Sequence, residues 1–178
     1  MPGKQTKFQI AISELLSDDL RVSAHSFIEF AQVNKLSVTS KEYKYGKYVM
    51  KGTIKCNNKG ICNIYMGKES FDVQPLAEYT DEFNIYVNNL ELENIIWDNV
   101  QKCDRCGNNA CLKQAGQRKD VFKGFNKIIF GKGFDNTCKH GNLMFCNPSK
   151  KSFDCIQSIM IFHTHCCDVQ AYAKNTEN

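Results

Sequence analysis

Cys103-Asp-Arg-Cys106-Gly-Asn-Asn-Ala-Cys111 places three thiols within nine residues, and Cys138, His140 and Cys146 follow. Thiolates two residues apart, with further cysteines downstream, suit a tetrahedral zinc ion, because a tight turn lets both sulfurs reach one ion at about 2.3 Å. Gly107, directly after the pair, relieves crowding where backbone amides approach the sulfurs. Zinc takes four ligands and soft thiolates suit it. The spacing predicts Cys103, Cys106, Cys111 and Cys138 as ligands, with Cys146 or His140 as substitutes among the later positions. An all-thiolate site is closed, and its role is to fold a segment that lacks a core of its own. A catalytic zinc would need an open position and a general base. Neither His-Glu-x-x-His nor the paired His-x-Glu and Pro-Cys-x-x-Cys of nucleobase deaminases occurs in the chain. A thioredoxin-like dithiol should follow a strand and open a helix, which lowers its thiolate pKa. Here the pair follows a helical pattern and opens a glycine-containing stretch.

Other residues have chemical potential and a simpler structural reading beside it. His163 and Cys167, in His163-Thr-His165-Cys166-Cys167, share a face if the segment is helical, but two ligands hold a metal poorly. Core packing near a helix end accounts for them. Lys113, Arg118, Lys119, Lys123, Lys127 and Lys132 interleave with Phe122, Phe125 and Phe130, a mixture that can bind single-stranded nucleic acid or form a solvated loop with its rings turned inward. Lys44, Lys47, Lys51 and Lys55 with Tyr43, Tyr45 and Tyr48 invite the same two readings, and there the alternation favours a wet strand face. Phe130-Gly-Lys-Gly-Phe134 lacks the Gly-Lys-Ser/Thr ending of a phosphate loop and reads as a bend returning Cys138 towards Cys103. His25 lies inside an amphipathic helical pattern, no pair of acids forms a dyad, and no serine stands in a nucleophile-elbow context.

The elements that would position these groups are legible in outline. Ser17 or Asp18 caps a helix to about Asn34, with Leu20, Ala24, Phe27, Ile28 and Ala31 as its apolar stripe. The preceding segment, from Phe8 to Leu16, is ambiguous between strand and helix. Tyr48, Met50, Ile54 and Cys56 alternate with Lys47, Lys51, Thr53 and Lys55, which predicts an antiparallel strand with one wet face. Asn57-Asn-Lys-Gly60 turns into a return strand over Ile61 to Met66, and Ser70 to Gln74 gives another; Leu36 to Tyr45 is a candidate fourth. Thr80-Asp-Glu opens one further helix, and Leu92, Ile95, Ile96 and Val100 mark the next. From Gln101 to about Asn147 periodicity is poor. Asn147-Pro148-Ser149 then enters a C-terminal helix of about four turns, with Phe153, Ile156, Met160 and His163 along one face.

Length and composition bound the rest. A chain of 178 residues with 42% hydrophobic and 24% charged residues can bury an adequate core without staples. No apolar run approaches a membrane span, and the N-terminal segment is interrupted by Glu14, Asp18 and Asp19. These features predict a protein with no secretory signal and no membrane partner, in the reducing cytoplasm where cysteines stay thiols or bind metal. The net charge of +4 is a mild hint of nucleic acid, weakened by the scarcity of arginine: 20 of the 23 basic residues are lysines.

The expected fold class is α+β. An antiparallel meander of three or four strands packs with helices, beside a cysteine-rich, zinc-organised segment and a C-terminal helix. A single domain over 1–178 is expected, with an α+β body over 1–100, the metal-organised segment over 101–147 and the helix over 148–172. The expected role is non-catalytic: a cytosolic protein with a structural zinc that binds a small molecule or protein partner on the meander face. The alternatives are a nucleic-acid-binding zinc protein and a thiol-based redox enzyme or sensor.

Overall fold

The structure is a computed structural model describing residues 6–76, 81–103, 124–138 and 143–176, without the side chains of 81, 89 and 167–176. The chain divides into two compact units, Met1–Ala77 with Phe145–Asn178, and Glu78–Met144.

The first unit is a five-stranded antiparallel sheet with helices on one face. Helices α1 (Lys7–Leu15) and α2 (Asp18–Val33) precede strands β1 (Ser37–Tyr45), β2 (Tyr48–Cys56), β3 (Lys59–Gly67) and β4 (Ser70–Pro75). The four strands form a meander, and a two-residue strand that returns from the second unit, Phe145–Cys146, pairs with the far edge of β4 through Val73 and Asp72. The meander takes the higher of the two strand counts expected, and the return strand extends it. The segment from Phe8 to Leu16, ambiguous by periodicity, is helical. Thr6 and Gln9 form a reciprocal capping box at its start, Gln9 N donating to Thr6 Oγ1 at 3.3 Å and Thr6 N to Gln9 Oε1 at 2.9 Å. That signature is present in the sequence and settles the ambiguity.

The α2 stripe packs as its spacing predicts, with Ala24, Phe27, Ile28 and Ala31 buried and Ser17 and Asn34 at the helix boundaries. Facing it, Ile54, Cys62, Ile64, Met66, Phe71 and Val73 supply the apolar side of the sheet. The last helix of the chain, Lys150–Thr176, runs for 27 residues, beyond the 172 boundary and longer than four turns. Ser149 Oγ accepts from Ser152 N at 3.2 Å at its start. Rings from three elements meet in the core: Phe27 lies 5.4 Å from Phe153 and 6.4 Å from Phe71, which is 6.1 Å from Phe153. Truncating such a ring to alanine typically costs about 3–5 kcal/mol.

The second unit carries helices α3 (Asp81–Asn89) and α4 (Glu93–Asp98) and a hairpin of β5 (Phe125–Ile129) and β6 (Lys132–Thr137). The stretch after Gln101, poor in periodicity, therefore holds regular structure. Phe130 and Gly131 both take positive φ, +48° and +72°, the conformation a two-residue hairpin turn needs. Phe130 and Gly131 thus turn a hairpin, while Gly133 pairs with Ile128 inside it. Two-stranded hairpins are marginal alone. This one is tied to α4 by Trp97 Nε1, which donates to Ile129 O at 2.9 Å, and to α3 by the rings of Phe83 and Phe130, 5.5 Å apart. The strands at Phe145–Cys146 and the helix at Lys150–Thr176 are β7 and α5 in chain order.

Candidate binding face

The predicted metal ligands divide between the two units. An antiparallel bridge joins Lys102 to Thr137, flanked by Cys103 N donating to Asn136 O at 2.6 Å and Cys138 N donating to Gln101 O at 3.0 Å. Side chains alternate across such a ladder, so Cys103 and Cys138 stand on one side of it as diagonal neighbours, about 7–8 Å apart at the backbone. Cys106, Cys111 and His140 lie outside the described residues. Cys146 is on β7 in the five-stranded sheet, directly opposite Asp72. Among the described residues no three histidines, cysteines or acids are grouped to hold a metal ion.

The remaining sequence candidates resolve unevenly. His163 is half-buried on α5, its ring 5.8 Å from that of Phe162, while the side chain of Cys167 is outside the described set. His25 Nε2 lies 3.1 Å from Ser13 Oγ, joining α2 to α1. Of the basic stretch from 113 to 132, Lys127 and Lys132 are described. Lys127 Nζ donates to Cys138 O at 2.8 Å, and Lys132 Nζ sits 4.8 Å above the Trp97 ring. Both cations are engaged locally, within the second unit.

The open side of the five-stranded sheet, opposite the helices, gathers more chemistry than any other described surface. Cross-strand register puts Ser37, Thr39 and Lys41 of β1 opposite Lys55, Thr53 and Lys51 of β2, and Lys51 and Thr53 opposite Tyr65 and Asn63 of β3. Tyr65 and Asn63 in turn oppose Asp72 and Gln74 of β4. The alternation of β2 would send Tyr48 to the apolar side with Met50. The register instead shifts between Tyr48 and Met50, and the shift turns Tyr48 onto the lysine side. Its ring there lies 5.4 Å from Tyr65, and the Tyr43 ring lies 5.6 Å from Tyr65. Lys51 Nζ rests 5.1 Å above the Tyr65 ring and Lys47 Nζ 5.2 Å above the Tyr48 ring.

One rim of this face is closed by Asp72, which is completely buried. Tyr48 Oη donates to Asp72 Oδ2 at 2.6 Å, Lys47 Nζ lies 2.9 Å from the same oxygen, and Asn147 N donates to Oδ1 at 3.1 Å. Asn147 also accepts from Phe71 N at 2.8 Å through its side-chain oxygen, fastening the end of β7 to β4. Burial, and then the Asp72 carboxylate, push the Tyr48 hydroxyl well above its ordinary pKa. Local burial and then Asp72 likewise raise the Cys146 thiol, with Lys47 opposing them. A raised thiol is a poor nucleophile near neutrality. Beside this rim Asn63 Nδ2 and Tyr65 Oη both donate to Gln74 Oε1, at 3.2 and 3.1 Å, and Thr53 Oγ1 donates to Asn63 Oδ1 at 3.1 Å.

The centre of the face carries cations with no counter-charge among the described residues. Lys41 and Lys51 are directly opposed across the β1–β2 ladder, an arrangement that is destabilising for like charges. Burial, with Lys41 second, lowers the Lys51 pKa. Among the described residues neither lysine has a carboxylate partner. The two acids of the meander strands do not relieve them. Asp72 is occupied as described, and Glu42 pairs with Met50 on the opposite side. Residue spacing had singled out Lys51, Lys55, Tyr43 and Tyr48 of this face. Lys41 and Tyr65 were missed, although each alternates in phase with its strand. Nothing in the local sequence marks Asp72 as the partner of Lys47.

No family model matches this chain, and no match to it was found among the curated proteins or the solved structures.

Proposed function

We propose that this chain is a non-catalytic binding protein that holds an anionic partner on the open face of its sheet. The observation that carries the reading is the Lys41–Lys51 rung. Two cations stand directly opposite each other beside half-buried tyrosines, without a described carboxylate, and this costs folding stability that a bound anion would return. The polar groups at the rim are already satisfied by one another, so the rung is where a ligand gains most. Titration calorimetry with inorganic tripolyphosphate at low salt tests it. Wild type is expected to bind, and Lys41→Met and Lys51→Met are each expected to weaken binding about tenfold, as for loss of a hydrogen bond to a charged group. Lys150→Met, at the start of α5, is expected to bind as wild type does. Equal binding by all four proteins, or none by wild type, would overturn the assignment.

A structural zinc held by Cys103, Cys106, Cys111 and Cys138, with Cys146 or His140 as substitutes, remains part of the proposal for the second unit. It is supported by Cys103 and Cys138 sharing one side of the Lys102–Thr137 ladder. One zinc per chain in elemental analysis, with about four thiols reacting only after chelation, is the expected result. A metal-free protein whose thiols react freely would exclude it. A cytoplasmic setting fits the buried thiols of Cys62 and Cys155, which are in no disulfide.

A further inference from the structure

We infer that the anion taken by the open face is single-stranded nucleic acid, an inference that rests on the binding reading above and names its ligand. The first reason is the extent of the positive charge. Lys51 and Lys55 point to the same side of β2, four residues and therefore about 13 Å apart along the strand, with Lys41 beside the first and Ser37 beside the second. A compact anion meets only one end of that track, whereas a chain of phosphates follows it.

The second reason is the cluster of rings. Tyr65 of β3 has the rings of Tyr43 of β1 and Tyr48 of β2 around it, at centroid separations of 5.6 and 5.4 Å, directly against the lysines. Tyr45, 6.3 Å from Tyr43 on the same edge strand, adds a further ring and is itself well exposed. Backbone charge contacts combined with aromatic platforms are the two components of single-strand recognition, since every base offers a face to stack. In a duplex those faces are hidden, and reading its grooves calls for an inserted helix or ribbon, which a broad sheet face does not provide. An acidic peptide would meet the lysines, but its carboxylate side chains offer no aromatic face to the tyrosines. With lysine alone along the track, contacts are point charges without bidentate geometry, so binding should tolerate sequence.

Fluorescence anisotropy on the full chain tests the inference, using labelled oligothymidylate and oligouridylate of about a dozen nucleotides. Binding is expected to weaken linearly on a log–log plot against salt, and Lys51→Met is expected to lower that slope by about 1, one phosphate contact. Tyr43→Ala is expected to weaken the oligonucleotides about tenfold while tripolyphosphate binding is unchanged, and Tyr43→Phe to restore them. Should Tyr43→Ala disturb the sheet, seen as a changed circular dichroism spectrum, Tyr43→Leu carries the same comparison. Blunt duplex of the same length should bind more weakly. If tripolyphosphate binds through Lys41 and Lys51 but Tyr43→Ala leaves the oligonucleotides unaffected, or if polyglutamate binds as tightly as they do, the nucleic-acid inference fails and the anion reading stands. If neither probe binds, both fail.

Discussion

Tyr48 and Asp72 are the residues at which packing and charge are most tightly joined. A buried carboxylate is costly unless its oxygens are occupied, and here Tyr48, Lys47 and Asn147 occupy them. Because Tyr48 keeps its proton in the folded protein to higher pH than in the unfolded chain, its contribution is complete below the ordinary phenol pKa of about 10 and declines as pH rises above that value. Tyr48→Phe removes this dependence. Urea unfolding near neutral pH is expected to show it about 1–2 kcal/mol less stable than wild type, since Asp72 loses a partner. Above about pH 10 the gap is expected to narrow, because only wild type pays to keep a phenol protonated there. A constant gap across that range would detach the alkaline behaviour from Tyr48. The tyrosine itself was visible in the sequence, but its side of the sheet was not. A strand pattern assigns faces by counting in twos, and a single register shift reverses every assignment beyond it.

The elements were largely legible. The α2 stripe, the Asn57-Asn58 turn and the helix entry at Pro148-Ser149 each carry a local physical signal, and each appears where that signal placed it. The segment left open between strand and helix and the stretch taken as irregular had signals as well, a capping box at Thr6 and Gln9 and a turn pair at Phe130-Gly131. The second was obscured because the surrounding stretch was read as one irregular loop organised by cysteines. Gly67 shows how closely the elements are fitted. A Cβ there would collide with the backbone carbonyl of Lys47, in the turn that leads to Tyr48, and backbone cannot rotate aside. Gly67→Ala is therefore expected to cost at least about 2 kcal/mol in urea unfolding. Gly60→Ala, in the same strand, meets the Thr53 methyl at 3.3 Å and Leu76 Cδ1 at 3.7 Å, both ends of side chains, and is expected to cost less than about 1 kcal/mol. Equal costs would mean that the Lys47 turn yields easily, and that the Lys47–Asp72 geometry is not held by it.

For the whole molecule, the division into two compact units sets what each proposed site depends on. The open face belongs entirely to the first unit, whose three helices and sheet bury a continuous apolar core. The Lys102–Thr137 ladder belongs to the second, which rests on two short helices and one hairpin among its described elements. If zinc holds that ladder, chelation should speed hydrogen exchange at the Cys103 and Cys138 amides, which close it, while the amides between β2 and β3 keep their protection. Uniform acceleration across both units would show that they unfold as one, and no change anywhere would count against the metal. The described residues contain no helix long and apolar enough to cross a membrane.

What the sequence determined by itself was most of the elements, their apolar faces and the kinds of side chain available, because helix stripes, strand alternation, caps and turn residues act over a few neighbours. Only the tertiary structure decided which of those side chains meet. Lys41 faces Lys51 because of the register between two strands, and Tyr48 joins Tyr65 because that register shifts. Asp72 is matched to Asn147 across 75 positions of chain because a two-residue strand returns to the sheet edge. Such pairings rest on long-range registry, which local periodicity does not encode. They move the functional proposal from the cysteines, where residue types alone placed the chemistry, to the lysine and tyrosine face.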